Sequence, residues 1–182
     1  MPIRTVQDPP EARKVAESAL TKGQRSNRFG LTLSPSAPIG ALGLYNLPLE
    51  DLVELCFDNA ALTGWRYFQL ADGATQGKIA DVTSDRDYAL AATAQGVLAR
   101  TVADAGLSAD ALLANTSEEY EPRILRLPPI SMEALWLHGP EDRFFGLQGS
   151  HFDLRDDDFL NIAIERATKR LKSMGRQMPL GG

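Results

Sequence analysis

Residues 121–147 read EPRILRLPPISMEALWLHGPEDRFFGL, and this stretch decides the fold of the chain. Its apolar and polar residues alternate with the period of a half-buried strand, which predicts strands at 123–127, 130–138 and 143–147. The pair Pro128-Pro129 cannot donate ladder hydrogen bonds and marks a break after the first strand. The turn residues Gly-Pro-Glu-Asp at 139–142 then predict that the last two strands form a hairpin.

The flanking sequence adds a second hairpin and several helices. Alternating residues around a long turn predict strands at 65–70 and 78–82. Apolar residues at helical spacing predict helices at 49–63, 84–105 and 156–174. This order favours an α+β fold, with an antiparallel sheet of four to five strands, helices packed on one face and an irregular N-terminal arm.

The N-terminal arm is the unusual part of the sequence. Residues 29–49 contain no charged side chain and are interrupted by three prolines and three glycines, which predicts irregular backbone and argues against a transmembrane helix. We therefore divide the chain into an N-terminal helix and extended apolar arm at 1–47, an α+β domain at 48–175 and a flexible tail at 176–182. Because exposed apolar backbone calls for a covering surface, we expect Leu42, Leu44, Tyr45 and Leu47 to be buried, either on this domain or on a partner. Our first hypothesis is that the arm binds a partner through these four residues.

Charge and composition limit the class of partner. A net charge of −5 and a pI near 5.1 disfavour binding to nucleic acid. The single cysteine, Cys56, cannot form an intramolecular disulfide, and its helical spacing predicts a small core residue. The charged N-terminus does not resemble a signal peptide, so we expect a cytoplasmic protein of bacterial type.

The two histidines are the candidate catalytic residues. His151 and Asp153 precede a run of aspartates, and His138 ends a predicted strand, so folding could bring them together around a substrate or a cation. Their spacing does not match a helical metal site, and the glycine-rich segment 73–78 does not match a phosphate-binding loop. We therefore predict no metal site and no cofactor.

Two functional hypotheses follow from these observations. The first is a non-enzymatic protein-interaction or assembly module, an adaptor whose N-terminal arm docks on a protein partner or on a second copy in a homo-oligomer. The alternative is a small hydrolase or metal-dependent enzyme that uses His151 and His138, with Asp153 as an orienting or ligating group.

Overall fold

A computed structural model describes residues 6–22, 39–70, 77–85, 87–114, 116–148 and 156–175. The strands are β1 (Ile39–Asn46), β2 (Ala61–Leu70), β3 (Gly77–Thr83), β4 (Ala89–Gln95), β5 (Glu121–Leu127), β6 (Met132–His138) and β7 (Arg143–Gln148). The helices are α1 (Pro10–Lys22), α2 (Leu49–Val53), α3 (Val97–Leu113) and α4 (Asp156–Gly175). Two short 3-10 helices cover Phe57–Asn59 and Pro128–Ile130.

The strands form one mixed sheet in the order β4-β3-β2-β1-β5-β6-β7. Neighbouring strands are antiparallel except for β1 and β5, which are parallel over four residue pairs and join two antiparallel halves. The predicted α+β class is confirmed. The prediction of four to five antiparallel strands is wrong in detail, because the sheet has seven strands in the described residues. Two of them lie where the sequence predicts an arm and a helix.

The first of these unpredicted strands is β1, at the centre of the sheet. The prediction of irregular backbone is wrong for residues 39–46, which pair with β2 on one side and β5 on the other. Its glycines have a packing reason: a Cβ at Gly40 would collide with the ring of Phe68, and a Cβ at Gly43 would lie 2.8 Å from the ring of Tyr45. The absence of charge is explained as well, because a central strand is covered on both faces.

The second unpredicted strand is β4, which replaces the first part of the helix predicted at 84–105. Gly96 follows β4 with φ +77°, a left-handed backbone angle that favours glycine, and α3 starts at the next residue. The helix predicted at 49–63 is also shorter, since α2 ends at Val53 and Leu55 adopts φ +59°. Cys56 is consequently exposed rather than part of the core.

Helices cover both faces of the sheet, although the sequence predicted one covered face. Helix α3 packs on one face, which we call the α3 face, against Leu44, Ile79, Ile124 and Leu135. Helices α1 and α4 share the opposite face, which we call the α1/α4 face. There α1 covers Trp65, Tyr67, Ala80 and Val82, and α4 covers Leu125, Met132, Trp136 and Phe144.

A buried ionic bridge on the α3 face ties the two halves of the sheet together. Arg66 on β2 is 2% exposed and donates to Asp81 on β3 at 2.7 and 2.8 Å. Its Nη1 and Nη2 also donate to Glu133 on β6 at 2.8 and 3.4 Å, and Glu133 accepts a further bond from Arg126 at 3.1 Å. Because β2 and β6 are three strand spacings apart, about 14 Å in a flat sheet, this bridge spans β1 and β5 and connects the two halves of the sheet.

No helix in the described residues is long and apolar enough to cross a membrane.

Candidate functional site

The most exposed regular element of the sheet is the edge strand β4. Within the described ranges, β4 pairs only with β3. Five consecutive residues, from Ala89 to Thr93, are exposed, and the side chain of Leu90 is 46% exposed. The strand reads Ala-Leu-Ala-Ala-Thr-Ala-Gln and carries neither a charge nor a proline. Edge strands of natural proteins are commonly guarded by such residues, because an unpaired edge offers hydrogen-bonding groups to another strand.

One irregularity divides this edge. Val82 pairs with Leu90 and Asp81 pairs with Ala92, so Ala91 is the extra residue of a β-bulge. From Ala92 to Gln95 the pairing with β3 is regular. The part of β4 that can extend the sheet without a kink is therefore this second half, which contains the exposed Thr93.

The opposite edge strand, β7, is covered. Helix α4 packs on one face of β7 and α3 on the other. No residue from Arg143 to Leu147 is exposed, and both Phe144 and Leu147 are buried. The sheet thus has one guarded edge and one open edge.

The four residues predicted to bind a partner lie in or just after β1. Leu44 and Leu47 are 1% and 3% exposed and belong to this chain's own core, while Leu42 and Tyr45 are half-buried. Leu42 and Leu44 pack in the cluster beneath α3, whereas Tyr45 and Leu47 pack in the cluster around α4. The four side chains therefore lie in two separate clusters, and their binding to a partner stays a prediction.

His138 is held by a carboxylate that sequence reasoning did not single out. Its Nδ1 lies 2.9 Å from Oδ1 of Asp142, and the same oxygen accepts a hydrogen bond from Nε1 of Trp136 at 2.8 Å. Since an ionised carboxylate only accepts, this contact places the proton of neutral His138 on Nδ1 and leaves the lone pair on Nε2. Asp142 belongs to the predicted turn at 139–142, so the turn itself supplies the partner.

An aromatic and ionic cluster lies beside His138 on the α1/α4 face. The guanidinium of Arg123 lies 4.5 Å from the ring centre of Tyr45 and 4.9 Å from that of Trp136, and its Nε donates to Glu121 at 2.6 Å. Burial raises the pKa of Tyr45, and the nearby Arg123 cation offsets part of this rise. Tyr45 and Glu121 also line a shallow groove above β1, together with Val6, Ala41 and Trp65.

The remaining catalytic candidates, His151 and Asp153, lie outside the described residues. Their predicted association with His138 therefore stays a prediction. In the ranges that the structure does describe, no group of three His, Cys, Asp or Glu side chains is arranged to hold a metal ion.

Comparisons with known proteins return no match: no family model, no curated protein and no solved structure is detectably similar to this chain.

Proposed function

We propose that this protein is a non-enzymatic interaction or assembly module, and that it joins another protein chain by adding a strand at the open edge β4. The observation that carries the proposal is the row of exposed, uncharged residues from Ala89 to Thr93 on a strand that has one neighbour in the described part of the chain. Strand addition gains affinity from main-chain hydrogen bonds, and it needs side chains that leave room for an approaching backbone. Alanine, which occupies four of the seven positions of β4, leaves that room.

The contrast with β7 supports the same proposal. Helices α3 and α4 enclose β7 from both sides, so the chain has the means to cover an edge. At β4, in contrast, α1 and α3 leave the first five residues exposed. We interpret this open edge as a docking site. The sequence alone predicts a different one, the apolar N-terminal arm. The portion of that arm at 23–38 lies outside the described residues, so its docking remains a prediction.

A binding titration with a peptide tests this proposal. Cys56 is exposed and is the one cysteine of the sequence, so a dye can be attached there at a distance from β4 along the chain. The dilute labelled protein is titrated with a peptide that has the sequence of residues 88–96, and binding is followed by thermophoresis. We expect saturable binding to the wild-type chain and at least roughly tenfold weaker binding to Thr93→Lys, which places a solvated charge on the edge.

The control variant is Ala111→Lys, which adds the same charge at an exposed position of α3. It should bind the peptide as the wild type does. Absence of peptide binding to the wild type, or equal binding by Thr93→Lys, would contradict strand addition at β4.

The contact between His138 and Asp142 favours the hydrolase alternative as a second candidate. A carboxylate that fixes the tautomer of an imidazole is the arrangement used by general-base histidines. If this alternative holds, His138→Gln should abolish turnover of generic ester substrates while the fold persists. Equal hydrolysis by the wild type and His138→Gln would remove it.

A further inference from the structure

We infer that the chain which docks on β4 is a second copy of this protein, with the two β4 strands antiparallel across a two-fold axis. This inference rests on the proposed function, because it names the partner of the same edge. It extends the sheet of each copy into one continuous sheet with the α3 face of both copies on the same side.

Charge is the first reason to choose a second copy. The chain carries a net charge of −5, so two copies repel each other on average. Strand β4 is an uncharged stretch of seven residues, and self-pairing there places no like charges opposite each other. The edge is electrostatically suited to a copy of itself, while a charged partner strand would find no complementary residue on β4.

The side chains of β4 are the second reason. In an antiparallel pair of β4 strands centred on Ala92, Ala92 faces its own copy and each larger side chain faces an alanine: Leu90 faces Ala94, Thr93 faces Ala91 and Gln95 faces Ala89. Leu90 pairs with Val82, whose side chain lies beneath α1, so Leu90 projects from the α1/α4 face. Its exposed side chain would be covered by the same face of the second copy, which gives the pairing an apolar contribution in addition to the backbone hydrogen bonds.

Closure is the third reason. An antiparallel pair of identical strands is an isologous contact, which uses the open edge of each copy once and generates a closed dimer. The outer edges of the joined sheet would then be the two β7 strands, which are covered by α3 and α4. The arrangement of one open and one guarded edge thus limits the assembly to two copies instead of a fibre.

Light scattering coupled to size-exclusion chromatography tests this inference on the full chain. We expect the wild type to have twice the monomer mass of 19.8 kDa and to dissociate on dilution. Thr93→Lys should raise the dimer dissociation constant by roughly tenfold or more, because every dimer then contains two new lysines within the paired half of β4. Ala91→Lys places its two lysines at the bulge beside this half and should also raise the dissociation constant. Ala111→Lys should keep the wild-type dissociation constant. Unchanged circular dichroism and thermal midpoint show that each variant is folded.

The outcomes separate this inference from the proposed function. If the wild type is a monomer at every concentration and yet binds the β4 peptide, the second-copy inference is overturned and strand docking stands. If the wild type neither dimerises nor binds the peptide, both fail. A dimer that persists in Thr93→Lys and Ala91→Lys uses another surface and also overturns the inference.

Discussion

The two edge strands of the sheet, β7 and β4, differ in how far the helices cover their side chains. At β7, α3 and α4 close over the strand, and Phe144 packs between aromatic rings of three other elements. At β4, α1 and α3 leave Ala89 to Thr93 exposed, and small side chains fill the strand. The difference is one of packing: the side chains of β7 contribute to the core, whereas those of Ala89 to Thr93 contact solvent, and this is the basis of the proposed docking at β4.

The same contrast extends to the two halves of the sheet. The half formed by β5, β6 and β7 is packed with aromatic residues beneath α4, whereas β4 contributes mostly alanine to the other half. The halves meet at the short parallel pair of β1 and β5, and the bridge of Arg66 and Glu133 crosses this junction. We therefore expect mutations to cost most at β7 and at the junction, and least at β4.

The largest effect is expected at the guarded edge. Phe144→Ala removes a buried ring whose centre lies 4.9 Å from that of Phe57 and 6.1 Å from that of Phe159, and it should lower the free energy of unfolding by about 3–5 kcal/mol. The comparison variant on the open edge is Leu90→Ala, which should cost less than about 1 kcal/mol because its side chain is partly in solvent. Urea denaturation measures both. Equal losses would show that the two edges do not differ in packing.

The next effect is expected at the junction of the halves. Burial alone would lower the pKa of Arg66, but its hydrogen bonds to Asp81 and Glu133 outweigh this and raise it, so the group stays charged. Arg66→Met removes the cation that Asp81 and Glu133 share: Glu133 retains Arg126, while the buried Asp81 loses the partner described for it. The variant should destabilise the fold by about 3 kcal/mol. Arg126→Met, at the more exposed end of the same bridge, is the control and should cost under about 1 kcal/mol. A similar loss in both variants would contradict the role of Arg66 as the central cation.

Alkaline pH provides a smaller test on the α1 side of the sheet. Burial raises the pKa of Tyr67, and the nearby Asp8 carboxylate raises it further. The folded chain therefore keeps this proton while the unfolded chain releases it above its ordinary pKa of about 10. Stability should fall as the pH rises beyond that value, by up to about 1.4 kcal/mol per pH unit for this group.

Tyr67→Phe removes this titrating group. The free energy of unfolding should therefore decrease less steeply with pH in the alkaline range than it does for the wild type. Tyr45→Phe should reduce this pH dependence less, because the Arg123 cation offsets part of the rise in the Tyr45 pKa. Denaturant unfolding at several pH values measures the slopes. Identical slopes for the wild type and Tyr67→Phe would contradict a raised pKa at Tyr67.

The smallest effect on stability is expected at the open edge itself. Ala91 is the exposed extra residue of the bulge, so Ala91→Lys should change the unfolding free energy of the monomer by no more than about 0.5 kcal/mol. This is measured by thermal unfolding at a concentration where the chain is monomeric. A loss of several kcal/mol would mean that the edge is covered in the folded monomer.

Much of the fold could be predicted from the sequence, because the relevant signals are local. The alternation around Trp136 predicts β6 and its hairpin with β7, and the predicted helix at 156–174 agrees with α4 (Asp156–Gly175). Strand β4 was missed because alanine has high helix propensity and periodicity cannot distinguish an alanine-rich strand from a helix. Gly96, between two uncharged runs, is the signal that could have separated β4 from α3.

The central strand β1 shows a different limit. The glycines of β1 and its lack of charge are typical of an apolar loop. In the folded chain the ring of Phe68 packs over Gly40 and the ring of Tyr45 packs over Gly43, and this close packing explains the two glycines. Phe68 lies on β2, 28 residues from Gly40, so no local pattern contains that partner; Tyr45 is two residues from Gly43 on the same strand, but its packing over Gly43 follows only once the segment is known to be extended. The apolar signal of Leu44 and Leu47 corresponds to burial in this chain's own core, and docking of a partner by the four predicted residues stays a prediction.

The most direct test of the contrast between the two edges is amide hydrogen exchange as a function of protein concentration. Exchange at residues 89–95 should slow markedly as the concentration is raised, with the largest protection from Ala92 to Gln95, while exchange at residues 143–148 stays constant. Exchange rates at β4 that are the same at every concentration, or that change together with those of β7, would contradict the assignment of β4 as the edge at which two copies associate.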